Sequence, residues 1–283
     1  MSLARPRRSA LYMPAANQRA IEKARDLACD VVILDLEDAV APEAKDLART
    51  QAVEAVRAGG FGRREVVIRV NGLDTPWGHA DLEAAAAVKP DAILAPKVSS
   101  PADVAAYGEA LSGDTALWVM IETCAAIFAL PAIAAAGGRL AALVVGTNDL
   151  AKEMRCRLDV ARAPLNAALS LTVAAARAER LVVLDGVFNG IEDDAGLAAQ
   201  CDQGAAFGFD GKTLIHPRQI EAANRAFGPA ADEVVWSRTV VAAFDLPENA
   251  PKGVIRVEGR MVERLHLDEA RRLIAVADAI AAA

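Results

Sequence analysis

The stretch 31-VVILDLEDAV-40 decides the fold. Val31 to Leu34 is a continuous apolar run, the pattern of a strand covered on both faces. Three carboxylates, Asp35, Glu37 and Asp38, then follow within four residues. A buried strand has no use for acids unless its end opens onto a polar site. Similar runs recur at 9-SALYMP-14, 65-EVVIRVN-71, 92-AILAPKV-98, 116-ALWVMIET-123, 141-AALVVGTND-149, 181-LVVLDGVF-188 and 207-FGFDGKTLIHP-217. Between them lie Ala-rich segments with helical spacing, such as 18-QRAIEKARDLA-28, 44-AKDLARTQAVEAVRA-58, 101-PADVAAYGEAL-111 and 164-PLNAALSLTVAAARAER-180. Pro101 and Pro164 stand at first-turn positions, where the missing N–H needs no partner. Eight strands alternating with helices predict an α/β protein, a (β/α)8 TIM barrel. An open doubly wound sheet is the alternative. The lack of GxGxxG after the first strand weakens its dinucleotide-binding form.

The chain has 283 residues, is 54% hydrophobic and carries a formal net charge of −7. That length allows one large barrel domain, expected over residues 1–228. Residues 229–283 differ in character: Pro247, Pro251 and Gly253 precede 254-VIRVEGRMVER-264 and a last helix from about Asp268. They are expected to form a C-terminal helical extension, packed on the barrel or on a neighbouring subunit. No basic stripe suits nucleic acid, and no run of 18 uncharged apolar residues suits a membrane span. Cys29, Cys124, Cys156 and Cys201 form no CxxC pair and read as buried, reduced thiols of a cytoplasmic protein.

In a parallel barrel the reactive groups stand at the C-terminal ends of the strands. Those ends carry Glu37 and Asp38, Arg69 and Asn71, Lys97, Glu122, Asp149, Asp185, and Lys212 with His216. Each alone reads as a loop residue, an ion-pair member or a helix cap. Together they are expected to converge on one mouth, where so many charges must pair or hold a metal. With only three histidines and no HxH or HExxH spacing, zinc is disfavoured. Two carboxylates completed by water and substrate oxygens suit Mg2+. Glu122 and Asp149, ending adjacent strands, are the expected ligands. In 146-GTND-149, Gly146 lets the backbone approach a ligand. Gly146, Thr147 and Asn148, with Pro14 at the end of strand 1, are expected to bind substrate.

The sequence resembles the citrate lyase β-subunit-like branch of the HpcH/HpaI aldolase/citrate lyase family. The resemblance rests on 8-RSALYMP-14, 33-ILDLEDAVAPEAKDLAR-49, 68-IRVNGLDTPWGHADL-82, 95-APKVSSPADV-104, 120-MIETCAAI-127, 145-VGTNDLA-151 and 208-GFDGKTLIHPRQI-220. It implies a Mg2+-dependent barrel, homotrimeric or homohexameric, that cleaves a 3-hydroxyacyl thioester of malyl-, citramalyl- or citryl-CoA type. The products would be an acyl-CoA and a 2-oxo acid. It assigns Glu122 and Asp149 to Mg2+ and Arg69 to the oxo-acid carboxylate. Asp35, Glu37 and Asp38 match the acidic cluster beside the metal, with Glu37 and Asp38 as catalytic candidates. Asp35 reads equally as a structural acid paired with Arg or Lys. Lys97 and Lys212 read as ion-pair partners rather than nucleophiles.

Two positions depart from the family pattern. Pro14-Ala15-Ala16-Asn17 stands where relatives have Pro-Gly-Asn, and 259-GRMVE-263 puts Glu263 where they have a catalytic aspartate. Glu263 is therefore a candidate acid or base with one extra methylene. The alternatives are a citrate lyase β subunit acting on a carrier-protein thioester, a malyl-CoA thioesterase, a CoA-independent pyruvate aldolase, and a non-catalytic oxo-acid-binding barrel.

Overall fold

The computed structural model describes residues 5–282. They fall into two compact units, Arg7–Phe227 and a C-terminal unit beginning at Gly228. In the first unit β1 (Ser9–Pro14), β2 (Val31–Asp35), β3 (Glu65–Arg69), β4 (Ala92–Ala95), β5 (Ala116–Ile121), β6 (Leu140–Val145), β7 (Val182–Asp185) and β8 (Gly211–Leu214) form a closed barrel. Every neighbouring pair is parallel, and β1 closes onto β8 through Ser9 opposite Lys212. Between the strands run α1 (Gln18–Ala24), α2 (Lys45–Ala58), α3 (Gly78–Val88), α4 (Pro101–Glu109), α5 (Cys124–Ala134), α6 (Thr147–Met154), α7 (Asn166–Ala178) and α8 (Asp194–Phe207). The unit ends in α9 (Ile220–Ala226). This is the (β/α)8 barrel read from the sequence.

Side chains alternate across each strand, so each strand supplies two cores. Ala10, Val31, Ile33, Val67, Leu94, Trp118, Val144 and Leu184 fill the barrel. Leu11, Val32, Leu34, Ile68, Ile93 and Leu143 pack outward with the helices. At the N-terminal end of the barrel Arg7 pairs with the fully buried Glu65, Nε to Oε2 at 2.5 Å. The Arg7 guanidinium also sits 5.7 Å from the Trp118 ring centre. The same alternation that turns Val31 and Ile33 inward places Asp35 inward at the opposite end. The barrel therefore grades from an apolar middle to a charged mouth.

The alternation also corrects one expectation. Asp185 and Lys212 do not join the mouth. Leu184 faces the barrel interior, so Asp185 faces out. There Lys212 Nζ lies 2.8 Å from Asp185 Oδ2 and Arg162 Nη1 lies 2.7 Å from Oδ1. Gln200 on α8 accepts from Lys212 at 3.3 Å. All three charges are buried and lock the barrel to its helical layer. The two cations hold the Asp185 carboxyl below its usual range despite burial, and burial pushes the Lys212 ammonium down. His216 caps a short 3-10 turn, its Nδ1 accepting the Arg218 N–H at 3.2 Å.

In the C-terminal unit α10 (Ala231–Asp245) and α11 (Arg264–Ala281) flank the hairpin of β9 (Val254–Val257) and β10 (Arg260–Glu263). Glu258 and Gly259 join the strands with φ of 47° and 82°, the left-handed pair of a tight hairpin turn. Val240, Phe244, Ile255, Val257, Val262 and Leu267 form its apolar core. Among the described residues no helix is long and apolar enough to cross a membrane. Cys29 and Cys201 are buried as expected, whereas Cys124 and Cys156 are half-buried.

Candidate active site

The site grows from the end of β2. Asp35 is fully buried and accepts four N–H groups. Two are the backbone amides of Glu37 and Ala39, at 2.9 and 3.1 Å. They fold the loop back over the strand end. The other two are Arg69 Nε and Nη2, each at 2.7 Å. This side-on, two-bond grip fixes the guanidinium plane. Arg69 ends β3 directly opposite Asp35 in the sheet register, so parallel pairing itself brings the two together. The Tyr12 ring from β1 stacks on the same guanidinium, with Cζ 4.7 Å from the ring centre.

Glu37 and Asp38 approach the remaining arm of Arg69. Nη1 lies 2.7 Å from Glu37 Oε2, off the hydrogen-bonding direction, and 3.4 Å from Asp38 Oδ2. Burial raises the Glu37 carboxyl to about 8, with Arg69 pulling the other way. Beneath this loop Lys45, from α2, donates to the backbone oxygens of Leu36 and Glu37 at 2.8 and 2.7 Å and to Asn71 Oδ1 at 2.8 Å. Asn71 donates to Asp81 and Leu36. Sequence reading passed over Lys45. Its signal was weak, a lysine in the first turn of an amphipathic helix.

Glu122 follows β5 directly and is buried. Its Oε1 accepts the Lys97 backbone N–H at 2.8 Å, and burial raises its carboxyl above the usual range. Gly146 ends the strand run, and a Cβ there would lie 2.3 Å from Glu122 Oε2. Glycine is therefore needed for Glu122 to stand where it does. Asp149 corrects a detail: β6 stops at Val145, and Asp149 sits in the first turn of α6 rather than at a strand end. An acid is favoured there by the helix dipole. The Lys97 ammonium contacts Asp149 and lies 3.8 Å from both Glu37 and Glu122.

These groups stand around a cavity of about 270 Å³ lined by Tyr12, Asp35, Asp38, Arg69, Met120, Glu122 and the 146–149 turn, together with Asn189, Thr213 and Ile215. Glu37 stands behind Arg69 and does not line it. Pro14 does not line it either; Pro14 pairs with Asp35 in the sheet and its carbonyl accepts the Asn17 N–H at 3.0 Å. Glu263 ends β10 in the C-terminal unit, where its N–H donates to His266 Nδ1 at 2.9 Å. Tyr12 and Asn189 were not singled out from sequence, because an aromatic in a buried strand reads first as core.

The charges do not balance. Asp35, Glu37, Asp38, Glu122 and Asp149 pair with Arg69 and Lys97, and the Lys45 ammonium lies beneath the loop, so five acids share three cations. Among the described residues no three His, Cys, Asp or Glu side chains form an all-protein metal cage. Mg2+ does not need one, since it binds through one or two carboxylates and keeps waters for exchange. The donor set is all oxygen, carries spare negative charge and opens onto a cavity, so it fits a hard divalent cation.

Fold and site define a (β/α)8 barrel with an acidic, cation-seeking mouth. The chain belongs to the HpcH/HpaI aldolase/citrate lyase family, whose model matches residues 8–217. It is 48% identical over 279 residues to a (3S)-malyl-CoA thioesterase of Cereibacter sphaeroides, covering 99% of this chain and 97% of that one. An L-malyl-CoA/β-methylmalyl-CoA lyase of the same organism is 33% identical over 308 residues, covering 99% and 97%. Among solved structures, the Mycobacterium tuberculosis CitE protein in complex with magnesium, acetoacetate and coenzyme A superposes with a TM-score of 0.76. It is 30% identical, with 98% of this chain and 100% of that chain covered.

Proposed function

We propose that this chain is a Mg2+-dependent enzyme acting on a 3-hydroxyacyl-CoA thioester of the malyl type, and that it hydrolyses the thioester to the free hydroxy acid and CoA. The observation that carries the reading is the acidic cavity built around a rigidly held Arg69, with Glu122 and Asp149 also in its lining. The 48% relative favours hydrolysis over carbon–carbon cleavage. This replaces cleavage, the leading expectation from sequence alone. The lyase at 33% identity keeps cleavage to an acyl-CoA and a 2-oxo acid as the second reading.

Glu122 and Asp149 would hold Mg2+, whose bound form polarises substrate carbonyl oxygens and offsets negative charge. Arg69 presents a fixed cation toward the substrate carboxylate. Asp35 and the Tyr12 ring keep its orientation, so little reorganisation is left for the bound state. Asp38 faces the cavity with a largely exposed carboxylate and can orient a water. Glu37, raised to about 8 by burial, carries its proton near neutral pH and can exchange it. The first-turn amides of α6 add donors for an anion. Glu263 is the candidate acid of the extension, which we propose packs on a neighbouring copy in a homotrimer or homohexamer.

The test is turnover of (3S)-malyl-CoA with Mg2+ and again after chelation, assaying free thiol and 2-oxo acid separately. Metal-dependent free CoA without oxo acid is the expected result. Oxo acid without free thiol would establish the lyase instead. Neither product would reject both readings.

A further inference from the structure

Most side-chain donors around the cavity are engaged within the protein. Asp35 occupies Nε and Nη2 of Arg69, and Nη1 faces Glu37 and Asp38. The Lys97 ammonium is held by Asp149. Asn148 and Asn189 pair with each other through their side-chain amides, at 2.8 and 3.3 Å. The Thr213 hydroxyl donates to the Asp185 backbone oxygen at 3.0 Å. Tyr12 stands apart. Its hydroxyl pairs with the Met120 thioether, 3.5 Å away, and sulfur is a weak acceptor. Both residues line the cavity.

Burial pushes the Tyr12 phenol well above its usual range, and Asp35, Glu122 and Glu37 reinforce the rise against Arg69. The hydroxyl is thus a neutral donor that keeps its proton. Its acceptor is one that an anionic oxygen would outcompete, because hydrogen bonds to charged acceptors are about twice as strong as neutral ones. Its ring is meanwhile fixed against Arg69, so the donor is aimed beside the cation expected to receive the carboxylate.

We propose that Tyr12 is a substrate-binding residue of this site, its hydroxyl donating to an oxygen of the anionic substrate while its ring positions Arg69. The inference deepens the proposed function and rests on it. It divides Tyr12 into two separable parts. Tyr12→Phe removes the donor and keeps the stacked ring. Tyr12→Leu removes both.

The test measures pyruvate binding by calorimetry in saturating Mg2+, together with Mg2+ affinity and urea stability, for wild type and both variants. Pyruvate stands in for the carboxylate and carbonyl oxygens of the substrate. Tyr12→Phe should weaken pyruvate about ten-fold, as expected for losing a hydrogen bond to a charged group. Its Mg2+ affinity and stability should stay at wild-type values, which a merely structural tyrosine would not predict. In turnover the same variant should raise KM more than it lowers kcat. Tyr12→Leu should weaken pyruvate further. Pyruvate affinity within two-fold of wild type in Tyr12→Phe would overturn the donor role. Equal affinities for the Phe and Leu variants would overturn the positioning role. Wild-type protein that fails to bind pyruvate with Mg2+ would overturn the inference together with the functional reading.

Discussion

Asp35→Asn tests the architecture of the site most directly. Asparagine keeps the shape and one acceptor oxygen but turns the other oxygen into an amide that donates. Two of the four N–H groups received by Asp35 then lose their acceptor. An orphaned buried donor costs about 1–3 kcal/mol, and breaking a buried ion pair by removing one partner costs about 3–5 kcal/mol. Two effects offset this. Arg69 retains Glu37 at 2.7 Å and Asp38 at 3.4 Å, and one charge leaves a cluster in which acids outnumber cations. The relief acts across a solvent-lined mouth, whereas the lost bonds sit at a fully buried carboxylate, so the loss wins. We expect about 3 kcal/mol lower stability by urea unfolding in metal-free buffer, in line with the lower end of the ion-pair range. Pyruvate affinity with Mg2+ should fall as well, because Arg69 loses its side-on anchor. A stability change under about 1 kcal/mol, with unaltered pyruvate affinity, would refute the claim that Asp35 holds Arg69 in place.

Lys97→Met removes the ammonium lying among Asp149, Glu122 and Glu37 but keeps the backbone N–H that orients Glu122. Mg2+ affinity, measured by calorimetry, should rise several-fold, about 1 kcal/mol after allowing for the half-exposed side chain; weaker binding would show that the lysine supports the metal. Glu37 has its carboxyl raised to about 8, so the native state holds a proton that the unfolded chain releases near its ordinary value. Stability of the metal-free protein should therefore decline as pH rises from about 5 to 8, and Glu37→Gln should flatten that slope in urea titrations at several pH values. Lys212→Met leaves Asp185 with Arg162 alone in a fully buried setting and should cost about 3 kcal/mol. Mg2+-dependent pyruvate affinity should stay unchanged, since the cluster faces the helices; a parallel loss of binding would tie it to the mouth.

The fold was legible because it follows from period and order. Apolar runs with no polar alternation, separated by Ala-rich helical stretches, leave few arrangements besides a parallel sheet covered on both faces. The mouth was partly legible for a related reason. Strand ends are where charges can meet partners and a cavity, so Asp35, Arg69 and Glu122 announced themselves by following apolar runs. What sequence order could not supply was side-chain direction. Asp185 and Lys212 follow apolar runs just as Asp35 does, but alternation turns them outward to Arg162. One residue of register separates a site acid from a structural one. Tyr12 was hidden by the converse error, since an aromatic inside a strand is usually core.

The inward parity has a functional consequence. Asp35 and Arg69 are directly opposite in the β2–β3 register, and Tyr12 lies on the inward face of the adjacent β1. Carboxylate, guanidinium and phenol thus come from three consecutive hydrogen-bonded strands of the barrel. Glu122 and Asp149 come from a strand end and a helix start that line the same cavity. The anion-holding half is therefore fixed by backbone pairing. The half proposed to hold the cation is set by side chains around Gly146 and is partly offset by Lys97, a charge on a flexible stem. Under the proposed function, such a division favours metal entry before the anion: until a divalent charge offsets the surplus acids, a carboxylate meets more repulsion than Arg69 alone can cancel.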